Sequence, residues 1–330
     1  MSTTPALRPL DLGEIIDRSA STWRAHWKPL FQLFVGFQLA QYLVTKVLSV
    51  VSTRVLERAT GGRVTELLDV LRHPPALSTN DALALFVTGG LTAGVVFVLS
   101  QISAVAGTAY IYPRITQTQA PTIAAALELA LRRSGATLGT LLLSLGWTMI
   151  VSLLVLAPAL AVGGGALVKA SAPLAVVAAV LLVAGSLVLT VWYVVRFILM
   201  AQVTAVEPLS ALGIFRRTDA LSSGRVGPGF TGWVKGRLTL LVTVVFSLVM
   251  IISMVTSVPL LVVIAAYSSA TGAASSAVPA LLRVPAELVQ VVATSTVAPL
   301  YVVFQTMFYV DVRVRREGLD LELAARGSTE

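Results

Sequence analysis

The chain has 330 residues, only 12% of them charged, and a mean hydropathy of +0.86, whereas a soluble chain of this size would carry about 25% charged residues. It contains no cysteine, which excludes disulfides, thiolate metal sites and cysteine nucleophiles. In so apolar a chain the formal net charge of +8 reads as cationic ends that hold helices on one side of a membrane, not as a nucleic-acid surface.

The first 28 residues are polar and too long for the basic start of a cleavable signal, so the first apolar run is expected to act as an uncleaved anchor. Six apolar runs follow: Pro29–Val51, Ala82–Tyr112, Leu138–Leu167, Pro173–Val206, Leu238–Tyr267 and Val289–Val310. Each exceeds the ~20 residues that a helix needs to cross ~30 Å of hydrocarbon. Four hold no charge; the other two hold Lys46 and Arg196. Lipid leaves backbone amides without water, so such runs must be helices. The expected fold is an all-α, polytopic bundle of six transmembrane helices. Residues 1–28 form an N-terminal interfacial helix, 29–312 the membrane domain and 313–330 a cytoplasmic tail, disordered after Asp320 and Glu322.

Three segments share one pattern: Asp11–Trp27, Thr122–Ser134 and Pro208–Thr218. Each opens on a capping residue or a helix-first proline, and Asp11 with Glu14 has capping-box spacing. Apolar residues then recur at helical intervals (Leu12, Ile15, Ile16; Ile123, Ala126, Leu127; Leu209, Leu212), and each segment ends near basic residues. These are expected to be short amphipathic helices at the cytoplasmic interface, apolar faces in the membrane boundary, with Trp23 and Trp27 at headgroup depth. Arg132, Arg133, Arg216, Arg217 and Arg225 are then placed to meet anionic lipid headgroups or a protein partner, or simply to anchor helix ends. Between the first two runs, Arg63–Leu71 has helical spacing that His73-Pro74-Pro75 ends.

Basic residues divide 17 to 7 between the two sets of connections. By the positive-inside rule the richer side, which carries both termini, is cytoplasmic. The 20 Arg against 4 Lys, with abundant Ala, Val, Leu and Gly, point to a GC-rich bacterial genome and so to the bacterial inner membrane.

Inside the runs, polar residues are the candidates for function. Arg196 stands alone as an arginine in an apolar run, and an intramembrane charge is a functional candidate by default. Its run is long enough for it to snorkel at the boundary instead. Glu207, eleven residues on and near the same helix face, is its expected partner. Gln38, Gln41, Gln101, Gln290 and Gln305 fit interhelical hydrogen bonds or a polar pathway. Gly90 and Gly94 have the spacing of close helix approach, and Gly163–Gly165 marks a bend or a span end. Pro158 and Pro299 either kink their helices or break them as transporters do. Asp311 and Arg315 are placed for an i, i+4 pair.

At Val195–Phe197, Glu207–Leu212, Arg216-Arg217 and Gly224-Arg225 the chain resembles a bacterial membrane domain. That domain is found attached to some glycerophosphoryl diester phosphodiesterases and also stands alone as six-span proteins. Leu10–Ser19 is similar to the family's opening and Tyr309–Asp320 to its close. The resemblance covers residues 8–325 and implies an integral membrane bundle. It implies no enzyme activity here: the phosphodiesterase domain needs His and carboxylates around a metal, and His26 and His73 fall on opposite sides of the membrane. No phosphate loop, zinc motif or nucleophile elbow occurs.

The leading reading is a non-enzymatic inner-membrane protein without cofactor, catalytic or metal site, in a structural or accessory role that organises the membrane, a protein partner or a second copy of itself through its cytoplasmic amphipathic helices. The alternative is a transporter or channel for a small or lipidic substrate, with Gln38, Gln101, Arg196 and Gln305 converging on one cavity. The charge bias predicts that reporters fused at Glu330 and within the Arg54–Asp81 connection fall on opposite sides of the membrane. Finding both on one side would overturn the six-span topology.

Overall fold

The computed structural model describes residues 8–60, 78–116, 121–169, 172–227, 229, 232–271 and 278–327. Among them lie eleven helices: α1 (Leu12–Ala25), α2 (Trp27–Thr60), α3 (Thr79–Ile115), α4 (Ile123–Arg132), α5 (Ser134–Lys169), α6 (Ala172–Phe197), α7 (Met200–Val206), α8 (Ala211–Ser222), α9 (Val234–Thr271), α10 (Ala280–Glu317) and α11 (Leu319–Gly327). No strand forms among the described residues, and one isolated bridge joins Arg225 to Trp233. The helix expected at Arg63–Leu71, and its end at His73, lie outside the described residues.

Six helical stretches are long and apolar enough to cross a membrane: α2, α3, α5, α6 with α7, α9 and α10. The protein is an all-α, six-helix integral membrane protein in contact with lipid. Two compact units divide the chain. One comprises Met1–Arg18, Thr108–Thr243 and Phe304–Glu330; the other comprises Ser19–Gly107 and Val244–Val303.

In the first unit, α5 packs along α6, and α8 packs against α5, α6 and α7. The last turns of α10 supply much of its core: Phe304, Met307, Phe308, Tyr309, Val310, Val312 and Val314 are all buried. Glycines allow the closest approaches. A Cβ at Gly139 would stand 2.8 Å from the Ala211 Cβ, and one at Gly185 would stand 2.8 Å from Leu156. In the second unit, Gly107 does the same for Phe34 and Val302, at 3.0 Å. Gly90 and Gly94, the pair with the expected spacing, have nothing within 4 Å of such a Cβ. Spacing alone identifies a permissive face; the neighbour that uses it comes from tertiary packing.

The short segments are helical as expected, with different details. Thr122 caps α4, its side chain accepting from Ala125 N–H at 3.2 Å. The third segment starts later than Pro208: Ser210 caps α8, accepting from Gly213 N–H at 3.4 Å. Ile15 and Ala126, expected in the membrane boundary, are buried within the protein, as are Ile214 and Leu221 of α8. The rest of each apolar face stays partly open, with Leu12, Ile16, Ile123, Leu127 and Leu209 half-buried and Leu212 exposed.

The prolines do not break their helices, and the tail differs from expectation. Pro158 lies inside α5 and Pro299 inside α10, and both helices run on through them. Gly163–Gly165 falls inside α5 at the end of the third span, Ser134–Gly165. The break in the fourth span comes at Ile198-Leu199, between α6 and α7. The tail is not disordered at Asp320 and Glu322: Gly318, at φ +65°, turns the chain into α11, and Leu319 is buried.

Gly139→Val forces a β-branched side chain onto Ala211, and overpacking of this kind costs ~1–3 kcal/mol. The midpoint of thermal unfolding in detergent is expected to fall. Gly146→Val, in open space on the same helix, is expected to leave it nearly unchanged. An equal loss at both would assign the cost to helix propensity rather than to the Ala211 contact.

Candidate functional site

The second unit contains two polar stripes inside apolar helices. On α2 the stripe is Gln38, Gln41, Tyr42, Thr45, Lys46 and Ser49, spaced i, i+3, i+4, i+7, i+8, i+11. Residues at those intervals share one face of a helix. On α10 it is Arg283, Glu287, Gln290 and Thr294, spaced i, i+4, i+7, i+11. Together the stripes line one cavity of about 380 Å³, with Val96 and Leu260 as apolar wall. That volume lies within the range of small-molecule sites.

Glu287 is the centre of this cavity, with its side chain only 10% exposed. Its carboxylate accepts from Lys46 Nζ at 2.6 Å, from Arg283 Nε at 2.7 Å and from the Tyr42 hydroxyl at 2.8 Å. Two cations face one carboxylate, so the cluster carries a net positive charge. Deeper along α2, the buried Nε2 of Gln41 has no hydrogen-bond partner. An orphaned donor beside a cationic cluster suits an anionic acceptor, because an unpaired buried donor carries a desolvation cost that a ligand oxygen would relieve.

The first unit holds most of the residues singled out from the sequence. Arg196 does not pair with Glu207. It donates from Nη2 to Asp219 at 3.0 Å, with Nε 2.9 Å from the same carboxylate. The break at Ile198-Leu199 ends the helix that would have carried Arg196 and Glu207 on one face. Trp147, Trp192 and Phe197 lie 5.2–5.7 Å from the Arg196 guanidinium.

Glu207 instead accepts from Arg217 Nε at 2.9 Å and from the Tyr309 hydroxyl at 2.8 Å. Arg217 reaches Glu317 as well, at 2.7 Å, and Glu317 also takes Arg313 at 2.9 Å. Hydrogen bonding to Glu317, then to Glu207, pushes the Arg217 guanidinium above its ordinary pKa. Arg216 is exposed. Arg225 donates to the Gly227 carbonyl at 2.9 Å and lies 5.5 Å from the Trp233 ring.

Asp311 and Arg315 form the expected pair, at 3.0 Å. The sequence pattern concealed what else they hold. Asp311, 1% exposed, accepts from the Leu10 backbone N–H at 2.8 Å and lies 3.4 Å from Arg237 Nη2. Arg237 and Arg315 both donate to the Leu10 carbonyl, at 2.9 and 2.7 Å. Both backbone polar groups of Leu10 are thus satisfied by three charged side chains. A contact across 301 residues leaves no local trace in the sequence.

Gln305 is buried and accepts from Gln202 Nε2 at 3.1 Å, while its own amide lies 3.4 Å from the Ile198 carbonyl. Gln101 is half-buried. The convergence expected of a transporter is not seen in either cavity. The one lined by Gln38 contains none of Gln101, Arg196 and Gln305, and the one beside Arg196 contains none of the other three. The residues that do converge, Lys46, Arg283 and Glu287, are absent from the candidates drawn from the sequence, Lys46 although it lies within the first apolar run, Arg283 and Glu287 because they precede the last one. The signal that finds them is the helical period of the polar residues themselves.

No protein-family model matches the chain, and neither a curated protein nor a solved structure does.

Asp311→Ala takes the carboxylate away from the buried Arg237 and the half-buried Arg315, and breaking a buried pair from one side typically costs ~3–5 kcal/mol. The yield of monodisperse protein in detergent is expected to drop sharply. Arg313→Ala, which leaves Arg217 on Glu317, is expected to cost much less. A normal yield of Asp311→Ala would show that Leu10 docks without its acceptor.

Proposed function

We propose that this protein is a non-enzymatic carrier or receptor that takes a small organic anion into the cavity between α2 and α10. The observation that carries the proposal is the meeting of two polar stripes at Glu287, inside helices long and apolar enough to span a membrane. Polar and ionisable side chains at membrane depth are expensive and mark substrate or ion pathways. The transporter alternative thereby moves ahead of the scaffold, through residues other than those the sequence first suggested.

Anion preference follows from Lys46 and Arg283 against a single carboxylate, and from the unpartnered Gln41 amide. Glu287 holds both cations and the Tyr42 hydroxyl on the cavity face and moderates their charge, so that a ligand is not trapped. The 17 to 7 division of basic residues supports cytoplasmic termini and a bacterial inner membrane, with the cavity mouth at Lys46 and Arg283 on the opposite side. The resemblance to the phosphodiesterase-associated membrane domain supports the same six-span placement and adds no chemistry.

The absence of native cysteine makes the test direct. Single cysteines at Gln41 and Gln290 are expected to react with a membrane-impermeant maleimide added from outside in proteoliposomes. Cysteines at Leu43 and Val47, exposed on the same helix and absent from the cavity lining, are expected to stay unreactive. A panel of small carboxylates is expected to slow labelling at Gln41→Cys. Lack of labelling at both cavity positions would return the scaffold reading to first place, and labelling that no anion slows would remove the anion.

A further inference from the structure

The geometry points to a second ligand site, in the first unit: a groove that holds one anionic phospholipid, its phosphate between Arg196 and Lys235 and an acyl chain along α6. The groove encloses about 460 Å³, and its walls are Leu187, Val188, Val191, Trp192 and Val195 of α6 with Thr239 of α9. Its apolar wall faces outward, with Leu187, Val188 and Val191 all more than half exposed in a span. At that level of a membrane helix the medium is hydrocarbon, so the groove fills with a chain and not with water.

The two cations stand at one end of this wall. Arg196 lies in the last turn of α6 and Lys235 in the first turn of α9. Both line the same groove, so one headgroup can meet the two. Trp147 and Trp192 flank Arg196, as suits the interfacial depth of tryptophan. Asp219 neutralises Arg196 but takes a hydrogen bond from only one of its nitrogens, and a guanidinium has five donors in a fork that matches phosphate. Lys235 is exposed and forms no ion pair among the described residues. The net charge at the mouth is positive. The occupant therefore combines a negative headgroup with a long apolar tail, and a soluble phosphate ester satisfies only half of the site. Lys235 is absent from the sequence-derived candidates because a lysine at a span boundary looks like an ordinary anchor.

The test uses the purified full-length protein in detergent, with lipid adducts counted by native mass spectrometry. Wild type is expected to retain one dioctanoyl phosphatidylglycerol about fivefold more tightly than dioctanoyl phosphatidylcholine, roughly what one surface cation contributes toward an anionic lipid. Lys235→Glu is expected to abolish that selectivity, whereas Arg132→Glu, an exposed cation outside the groove, is expected to keep it. Val188→Trp fills the chain channel at an exposed position and is expected to weaken retention of both lipids. Inorganic phosphate and glycerol 3-phosphate at millimolar concentration are expected to leave the lipid in place. Equal retention of the two lipids by wild type, an equal loss in Arg132→Glu, full retention in Val188→Trp, or displacement by inorganic phosphate would each overturn the assignment.

Discussion

Hydrocarbon offers no hydrogen bond to anything placed in it, and each polar group in these helices is arranged around that deficit. Small hydroxyls meet it locally. Thr88 donates to the Ala84 carbonyl, Thr148 to Ser144, Thr204 to Met200 and Thr294 to Gln290, each four residues back along its own helix. Amides have no such local solution and must find a second helix, as Gln202 and Gln305 do. Such interhelical bonds average only ~0.6 kcal/mol, so they determine which faces meet more than they add to stability.

Charges intensify the same constraint. Asp311 is buried among Arg237, Arg315 and the Leu10 amide, a cluster that a neutral isostere would disturb from every side. It joins the residues before α1, the start of α9 and the end of α10 within one compact unit. The Arg316 guanidinium does comparable work nearby, donating to the Ala220 and Ser223 carbonyls at the end of α8, at 2.7 Å each. Helix ends leave carbonyls unpaired, and an arginine from a distant segment serves where a local cap is lacking. The basic residues that place this chain in the membrane are thus largely committed to holding its termini and short helices together. Those left over, such as Lys235, are the ones available to a ligand.

Fold class was legible because hydropathy and length act through an averaged property. Six runs above the crossing length survive any uncertainty about their neighbours, and all six are present as helices. The i, i+4 pair of Asp311 and Arg315 and the cap at Thr122 were legible for a similar reason, since both are local. Partners distant in sequence were not. Arg196 was matched to Glu207 by extending one helix through residues that interrupt it at Ile198-Leu199, and the true partner, Asp219, lies on α8. Gly90 and Gly94 were matched to a motif that no neighbouring helix uses, while Gly139, part of no motif, meets Ala211.

The cavity around Glu287 shows a further way in which averaging hides function. Hydropathy windows treat a charge as the end of a span, so Arg283 and Glu287 fall before the last apolar run, while Lys46 reads as an isolated charge within the first. Read with a period of 3.6, the same residues are members of two stripes: one runs from Gln38 to Ser49 on α2 within the first apolar run, and the other enters the last run from outside it and reaches Thr294 on α10. A stripe that only anchored a helix would stop at the headgroup layer, where water satisfies it. These continue for about two turns past Lys46 and Glu287 into a stretch where each side chain needs a partner from the protein or from a guest. Gln41 has found neither, and that unmet donor, set between satisfied neighbours, is where the chain departs most clearly from what packing alone requires.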